Sequence, residues 1–170
     1  MQLFSQQLIT LAEIVIHTAL AKKIRIVTAE SCTGGLIAAC LTEIPGASDV
    51  LDQGFITYSN NAKMSHLGVS RRTLLDCGPV SAAIALEMAE GALSASTADI
   101  AVSATGIAGP GGGSAETPVG LVFLGIAIRE NGKSYTLQNI FKGDRTEIRL
   151  KAVENALTAL KKEIEKGENI

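Results

Sequence analysis

Leu8, Leu11, Ala12, Val15 and Ala19 recur at helical spacing, so the pattern predicts an amphipathic helix over residues 3–22. Lys22-Lys23 then leads into Ile24-Arg25-Ile26-Val27-Thr28, which reads as a short strand. An apolar helix is expected from Thr33 to Leu41, and Pro45-Gly46 marks a turn. Phe55-Ile56-Thr57-Tyr58 is β-branched and aromatic, the composition of a second strand. Ser59 to Leu75 is mixed and predicts short helical turns. A helix starts at Val80-Ser81 and runs to Ser94, with Ser81 as N-cap and Ile84 where a capping box would place Glu or Gln. Asp99 to Thr105 reads as a buried strand.

Gly106 to Gly120, GIAGPGGGSAETPVG, is a long glycine-rich loop. Val119–Ile128 and Ser134–Phe141 then alternate around Asn131-Gly132, a hairpin signal that makes these two strands antiparallel. Asp144-Arg-Thr-Glu147 has the form of a capping box, and Val153, Leu157, Leu160 and Ile164 share one stripe of the helix behind it. Helices alternate with strands for two thirds of the chain, and a hairpin follows. This order predicts an α/β fold, a three-layer α/β/α sandwich with a mixed β-sheet. Without an internal repeat or a linker, residues 1–170 read as a single domain.

The composition removes several function classes. With 46% hydrophobic and 19% charged residues, the chain reads as soluble and globular, and 170 residues suffice for one core. A net charge of −2, and no basic–aromatic interleaving, give no drive toward nucleic acid or an anionic membrane. Cys32, Cys40 and Cys77 lack the spacing of a disulfide framework or a zinc site, and His17 and His66 are too few for a histidine metal centre. The N-terminal helix carries Glu13 and lacks a basic n-region, so it is neither a signal peptide nor a membrane span. A cytoplasmic location is the expectation.

Three loops follow the C-terminal ends of the expected parallel strands: Ala29–Gly35, Ser59–Lys63 and Gly106–Pro118. Ligands of open α/β sheets bind at that edge. Ser31 is either a nucleophile served by helix N-terminal amides or a helix N-cap. Cys32 is the rival nucleophile or a small buried thiol. No Ser-His-Asp set is available, so a base would be a neutral lysine, with Lys63 the candidate and Tyr58 able to relay a proton or orient the pair. Each of these two also reads as an ordinary strand or surface residue. Gly34 and Gly35 allow close backbone approach to a ligand or tight helix–strand packing. Thr105-Gly106 and the glycines beyond could offer amides to a phosphate, although the loop is neither a Walker nor a Rossmann motif. Arg145 either pairs with a phosphate or is solvated.

AESCTGG (Ala29–Gly35), GFITYSNNAK (Gly54–Lys63), VSAAIALEMAEGAL (Val80–Leu93) and TGIAGPGGGSAETPVG (Thr105–Gly120) together resemble the CinA C-terminal family. The resemblance runs from about Leu8 to Lys161. It implies the stand-alone form, without the molybdopterin-binding-like domain of longer CinA proteins. The characterised enzymes of the family are nicotinamide-nucleotide amidohydrolases. The resemblance therefore implies hydrolysis of nicotinamide mononucleotide to nicotinate mononucleotide and ammonia, in pyridine-nucleotide recycling toward NAD. Ser31 matches the nucleophile, and Tyr58 and Lys63 its supporting pair. Thr33, Gly34, Gly35, Asn60, Thr105, Gly106 and Arg145 match positions around the substrate. Asn60-Asn61-Ala62 departs from the family in lacking acidic residues. No metal and no cofactor are implied, and a homodimer is expected. The alternative is a non-catalytic nucleotide-binding regulatory module of the competence and damage-inducible type. A third possibility is hydrolysis of a related phosphorylated amide or pyrophosphate.

Overall fold

The structure is a computed structural model, which describes residues 3–166. Its sheet is built around β1 (Ile26–Glu30), which pairs in parallel with β2 (Leu51–Ile56) on one side and β3 (Ile100–Gly106) on the other. Beyond β3, β4 (Leu121–Ile128) and β5 (Ser134–Ile140) add antiparallel, giving the order β2-β1-β3-β4-β5. The expected mixed sheet is therefore present.

Alternation along the strands sends successive side chains to opposite faces. Ile26, Ile100, Val102, Val122, Leu124 and Ile126 meet one helical layer, formed by α1 (Gln6–Lys22), α2 (Leu36–Thr42) and α6 (Arg145–Lys166). Val27, Ala29, Ala101 and Ala127 meet the other layer, which holds α3 (Asn60–Leu67), α4 (Arg71–Cys77) and α5 (Ala82–Ser94). Every residue of β1 and β4 is buried, as strands covered on both faces must be. The apolar face of α1 is occupied by its own chain, since Leu8, Ala12, Val15, Ile16 and Ala19 belong to the first core.

The second layer sits very close to the sheet. Ser103 Oγ donates to the carbonyl of Ala85 on α5 and accepts from Gly125 N at 3.1 Å. A Cβ on Gly125 would lie 2.2 Å from that same carbonyl oxygen. One step further out, a Cβ on Gly91 of α5 would lie 1.9 Å from the Leu67 carbonyl that ends α3. Glycine is required at both places because backbone meets backbone there.

Several expected boundaries move. β1 runs from Ile26 to Glu30 rather than from Ile24 to Thr28, and β2 is Leu51–Ile56 rather than 55–58. β2 is an edge strand whose Asp52, Gln53 and Gly54 lack the apolar signature of a covered strand. The mixed segment after it resolves into α3 and α4, with N-caps Ser59 and Ser70 accepting from Ala62 N and Thr73 N. Ser81 caps α5 through Ile84 N, and the Asp144–Glu147 capping box closes reciprocally at 2.8 Å in both directions. The β4–β5 connection spans residues 129–133 around Asn131-Gly132, as expected, with Asn131 Oδ1 accepting from Lys133 N. Among the described residues, no helix is long and apolar enough to cross a membrane.

Candidate active site

The C-terminal ends of β1, β2 and β3 converge, as the parallel register requires. Glu30 pairs with Ala104 on one side and Ile56 on the other. Beyond Glu30 the chain bends through residues 31–35 before α2 begins at Leu36. Ser31 is therefore not an N-cap: Gly35 holds that position at φ 96°, without a side-chain cap. The start of α2 is capped instead from the strand. Glu30, fully buried, accepts from Gly35 N and Ile37 N through one carboxylate oxygen and from Ala38 N through the other. This satisfies three of the orphan amides that every helix start presents.

With the cap role taken by Glu30, the Ser31 hydroxyl is left to face Lys63. Lys63 Nζ lies 3.1 Å from Ser31 Oγ, 3.0 Å from the Thr57 carbonyl and 3.3 Å from the Tyr58 carbonyl. Lys63 is 2% exposed and takes part in no ion pair among the described residues. Burial pushes its pKa below the usual 10.5, against a weaker upward pull from Cys32. A neutral amine has two N–H bonds and one lone pair. In the neutral form the two carbonyls would take the N–H bonds and the lone pair would be free to accept from the Ser31 hydroxyl, which in this structure accepts from Nζ. That is the arrangement a general base needs beside its nucleophile.

Cys32 does not compete. Its thiol is buried and pushed up to about 11, first by desolvation. A protonated thiol is a poor nucleophile, and neither histidine is hydrogen-bonded to it.

A cleft of about 170 Å³ is lined by Cys32, Tyr58, Gly106, Gly109, Gly112 and Arg145 among others; it includes the residue after Ser31, but neither Ser31 nor Lys63 lines it. Arg145 spans it, donating Nη1 to the Gly109 carbonyl at 2.8 Å and Nη2 to the Tyr58 hydroxyl at 3.2 Å. The Tyr58 ring, 61% exposed, thus meets Arg145 rather than the Ser31–Lys63 pair, and only its carbonyl orients Lys63. The amides of Ala108, Gly109, Gly111 and Gly112 donate to no protein acceptor among the described residues. Together with the Arg145 guanidinium they form an electropositive rim suited to an anion.

Other expected site residues are placed differently. Thr33 is fully buried, so it presents no surface to a ligand. The Thr105 hydroxyl donates to the Pro79 carbonyl at 2.8 Å, tying β3 to the start of α5, and is not free to hold a phosphate. Gly106 lines the cleft, where a Cβ would meet the Leu121 carbonyl at 2.6 Å. Gly34 and Gly35 take φ values of 60° and 96°, so their glycine is needed for the turn itself. Asn60 is exposed at the first residue of α3, outside the residues lining the cleft.

Two residues of the site escaped sequence reasoning. Glu30 signals itself only as a charge at the end of a buried strand. Arg149 donates Nε to the Cys32 carbonyl at 3.0 Å and Nη2 to the Thr33 carbonyl at 2.9 Å. Its signal is the spacing to Arg145: like charges four apart disfavour a helix unless each has a partner elsewhere. No group of His, Cys, Asp and Glu suited to a metal ion occurs among the described residues.

Residues 8–164 match the CinA C-terminal domain. The chain is 53% identical over 154 residues to a protein of Caldicellulosiruptor bescii named "Putative competence-damage inducible protein", covering 91% of this chain and 37% of that protein. The chain thus spans little more than a third of the length of the curated relatives it matches. Among solved structures, the competence/damage inducible protein CihA from Agrobacterium tumefaciens superposes with a TM-score of 0.94 at 49% identity, covering 98% of this chain and 100% of that one. The competence damage-inducible protein A (ComA) from Klebsiella pneumoniae gives 0.89 at 37% identity, covering 94% and 98%.

Proposed function

The chain belongs to the CinA C-terminal domain family, and from that premise we propose that it hydrolyses the carboxamide of nicotinamide mononucleotide to nicotinate mononucleotide and ammonia. The observation that carries the reading is the buried Lys63 amine 3.1 Å from the Ser31 hydroxyl.

In this reaction Lys63, neutral, takes the Ser31 proton as Oγ attacks the carboxamide carbon. The C=O electron pair moves onto oxygen, giving a tetrahedral oxyanion. As the intermediate collapses, the C–N bond breaks and Lys63 returns the proton to nitrogen, releasing ammonia and leaving an ester on Ser31. Water then attacks the ester, Lys63 takes its proton, and Ser31 departs with that proton. Splitting one difficult step into two suits an amide, which is a poor electrophile. The glycine-rich amides and Arg145 would hold the ribose phosphate, placing binding energy away from the reacting carbon.

A regulatory module that only bound a nucleotide would need the electropositive rim but not a desolvated lysine against a serine. That burial costs folding free energy, which favours the enzyme. The test is ammonia release from nicotinamide mononucleotide by the wild type and by Ser31→Ala, without added metal. Release that the substitution abolishes supports the reading. A folded wild type that binds the nucleotide and releases nothing moves the protein to the regulatory class.

A further inference from the structure

The turn that carries Ser31 contains a chain of peptide groups that ends in a guanidinium. Arg149 Nη2 donates to the Thr33 carbonyl at 2.9 Å. The N–H of that same peptide group, on Gly34, donates to the Ser31 carbonyl at 3.0 Å. The N–H of the Ser31–Cys32 peptide group belongs to Cys32. Apart from its own Sγ, it has no acceptor among the described residues, and Cys32 lines the cleft. In a trans peptide the C=O and N–H point in opposite directions. Each link therefore passes the orientation on: holding the Thr33 oxygen aims the Gly34 N–H, and holding the Ser31 oxygen aims the Cys32 N–H away from the turn. A second bond, Arg149 Nε to the Cys32 carbonyl at 3.0 Å, fixes the intervening peptide plane.

Hydrogen bonds in series polarise one another, and a charged donor at the head strengthens the whole chain. The guanidinium thus does two things at a distance. It sets the direction of the Cys32 N–H, and it makes that N–H a stronger donor.

We propose that Arg149 is the positioning residue of the oxyanion hole, holding and polarising the Cys32 amide that receives the developing negative charge when Ser31 attacks. This rests on the reading of Ser31 as an acylated nucleophile. Arg149 touches neither the substrate nor the reacting atoms, and its role is separate from that of Arg145, which faces the cleft four residues earlier. The turn is fitted to it: a Cβ on Gly34 would come within 3.3 Å of Arg149 Nη2.

The test compares wild type, Arg149→Met and Arg149→Lys with two readouts. One is kcat and KM for ammonia release from nicotinamide mononucleotide. The other is the rate at which a fluorophosphonate labels Ser31, because its phosphoryl oxygen occupies the same hole whatever the natural substrate is. Loss of an oxyanion donor lowers kcat by about 10²–10³-fold. Misaiming one by Arg149→Met is expected to lower kcat and labelling together by roughly 10–100-fold, with KM within about twofold. Arg149→Lys, which keeps the charge and one donor, is expected to fall between, and it decides the question if Arg149→Met does not fold. A folded variant that retains both rates within about threefold overturns the proposal, and so does a loss confined to KM. A wild type that labels but releases no ammonia overturns the substrate reading alone, and the labelling rates then judge Arg149. A wild type that does neither overturns the nucleophile and the role of Arg149 with it.

Discussion

Lys63 Nζ stands as close to Ser31 Oγ, at 3.1 Å, as it does to the Thr57 carbonyl, at 3.0 Å. The lysine is thus held by the residue just past β2 and aimed at a serine just past the neighbouring β1. Lys63→Ala is expected to lower kcat for ammonia release by at least about 10³-fold, and Ser31→Ala to abolish it, since members of one catalytic unit fail together. Nucleotide binding, read by calorimetry, should survive both substitutions.

Burial pushes the Lys63 pKa below 10.5 in the folded protein. The base works when neutral, so kcat/KM is expected to rise with pH through that folded value. The linked stability has the same sign. The folded state binds fewer protons than the unfolded chain between the two pKa values, so the Lys63 contribution is full above about 10.4 and is lost as pH falls through the folded value. Urea midpoints measured from pH 6 to 10 should climb in the wild type and flatten in Lys63→Met.

Arg145 crosses the cleft from Gly109 to Tyr58. Arg145→Ala is expected to raise KM for nicotinamide mononucleotide by roughly 10–100-fold, the value of a charge-assisted pair. Hydrolysis of free nicotinamide, which has no phosphate, should be unchanged by the same substitution. Equal losses on both substrates would place Arg145 in the chemistry instead.

Glu30 satisfies three amides from within the core. Glu30→Ala leaves them unpaired and is expected to cost at least about 3 kcal/mol. Glu30→Gln keeps one acceptor and turns an NH2 toward an amide, so it should lie between the two. Urea denaturation measures both.

Gly91→Ala would place a Cβ 1.9 Å from the Leu67 carbonyl. Overpacking of this kind costs about 1–3 kcal/mol. Because Leu67 ends the helix that carries Lys63, kcat is expected to fall in folded protein as well. Thermal melts beside steady-state rates separate the two effects.

Much of this arrangement could be read in the sequence where local chemistry agrees with burial. Ser81 and the Asp144–Glu147 box marked their helices because a cap is a local hydrogen bond. β3 and β4 were visible as apolar runs because both faces are covered. β2 was misplaced because an edge strand needs no apolar face toward its open side. The role of Ser31 could not be settled locally, because what frees it from capping is Glu30, and what it meets instead is Lys63, thirty-two positions away. Thr105 and Tyr58 were assigned by their motif. Their side chains found partners, Pro79 and Arg145, that only the tertiary structure brings close. Arg149 was missed for the same reason: its targets are backbone carbonyls, which carry no sequence signature.

The stack from Gly125 through α5 and Gly91 to the end of α3 is made of main chain touching main chain. Side chains in a packed core can change rotamer and absorb a small error. Bare backbone contacts have no such slack, so every thickness in the series adds to the next. The height of Lys63 over Ser31 is therefore set like the gap in a column of ground plates. One methyl group inserted two layers below would be read at the top as a change in the distance across which a proton must pass.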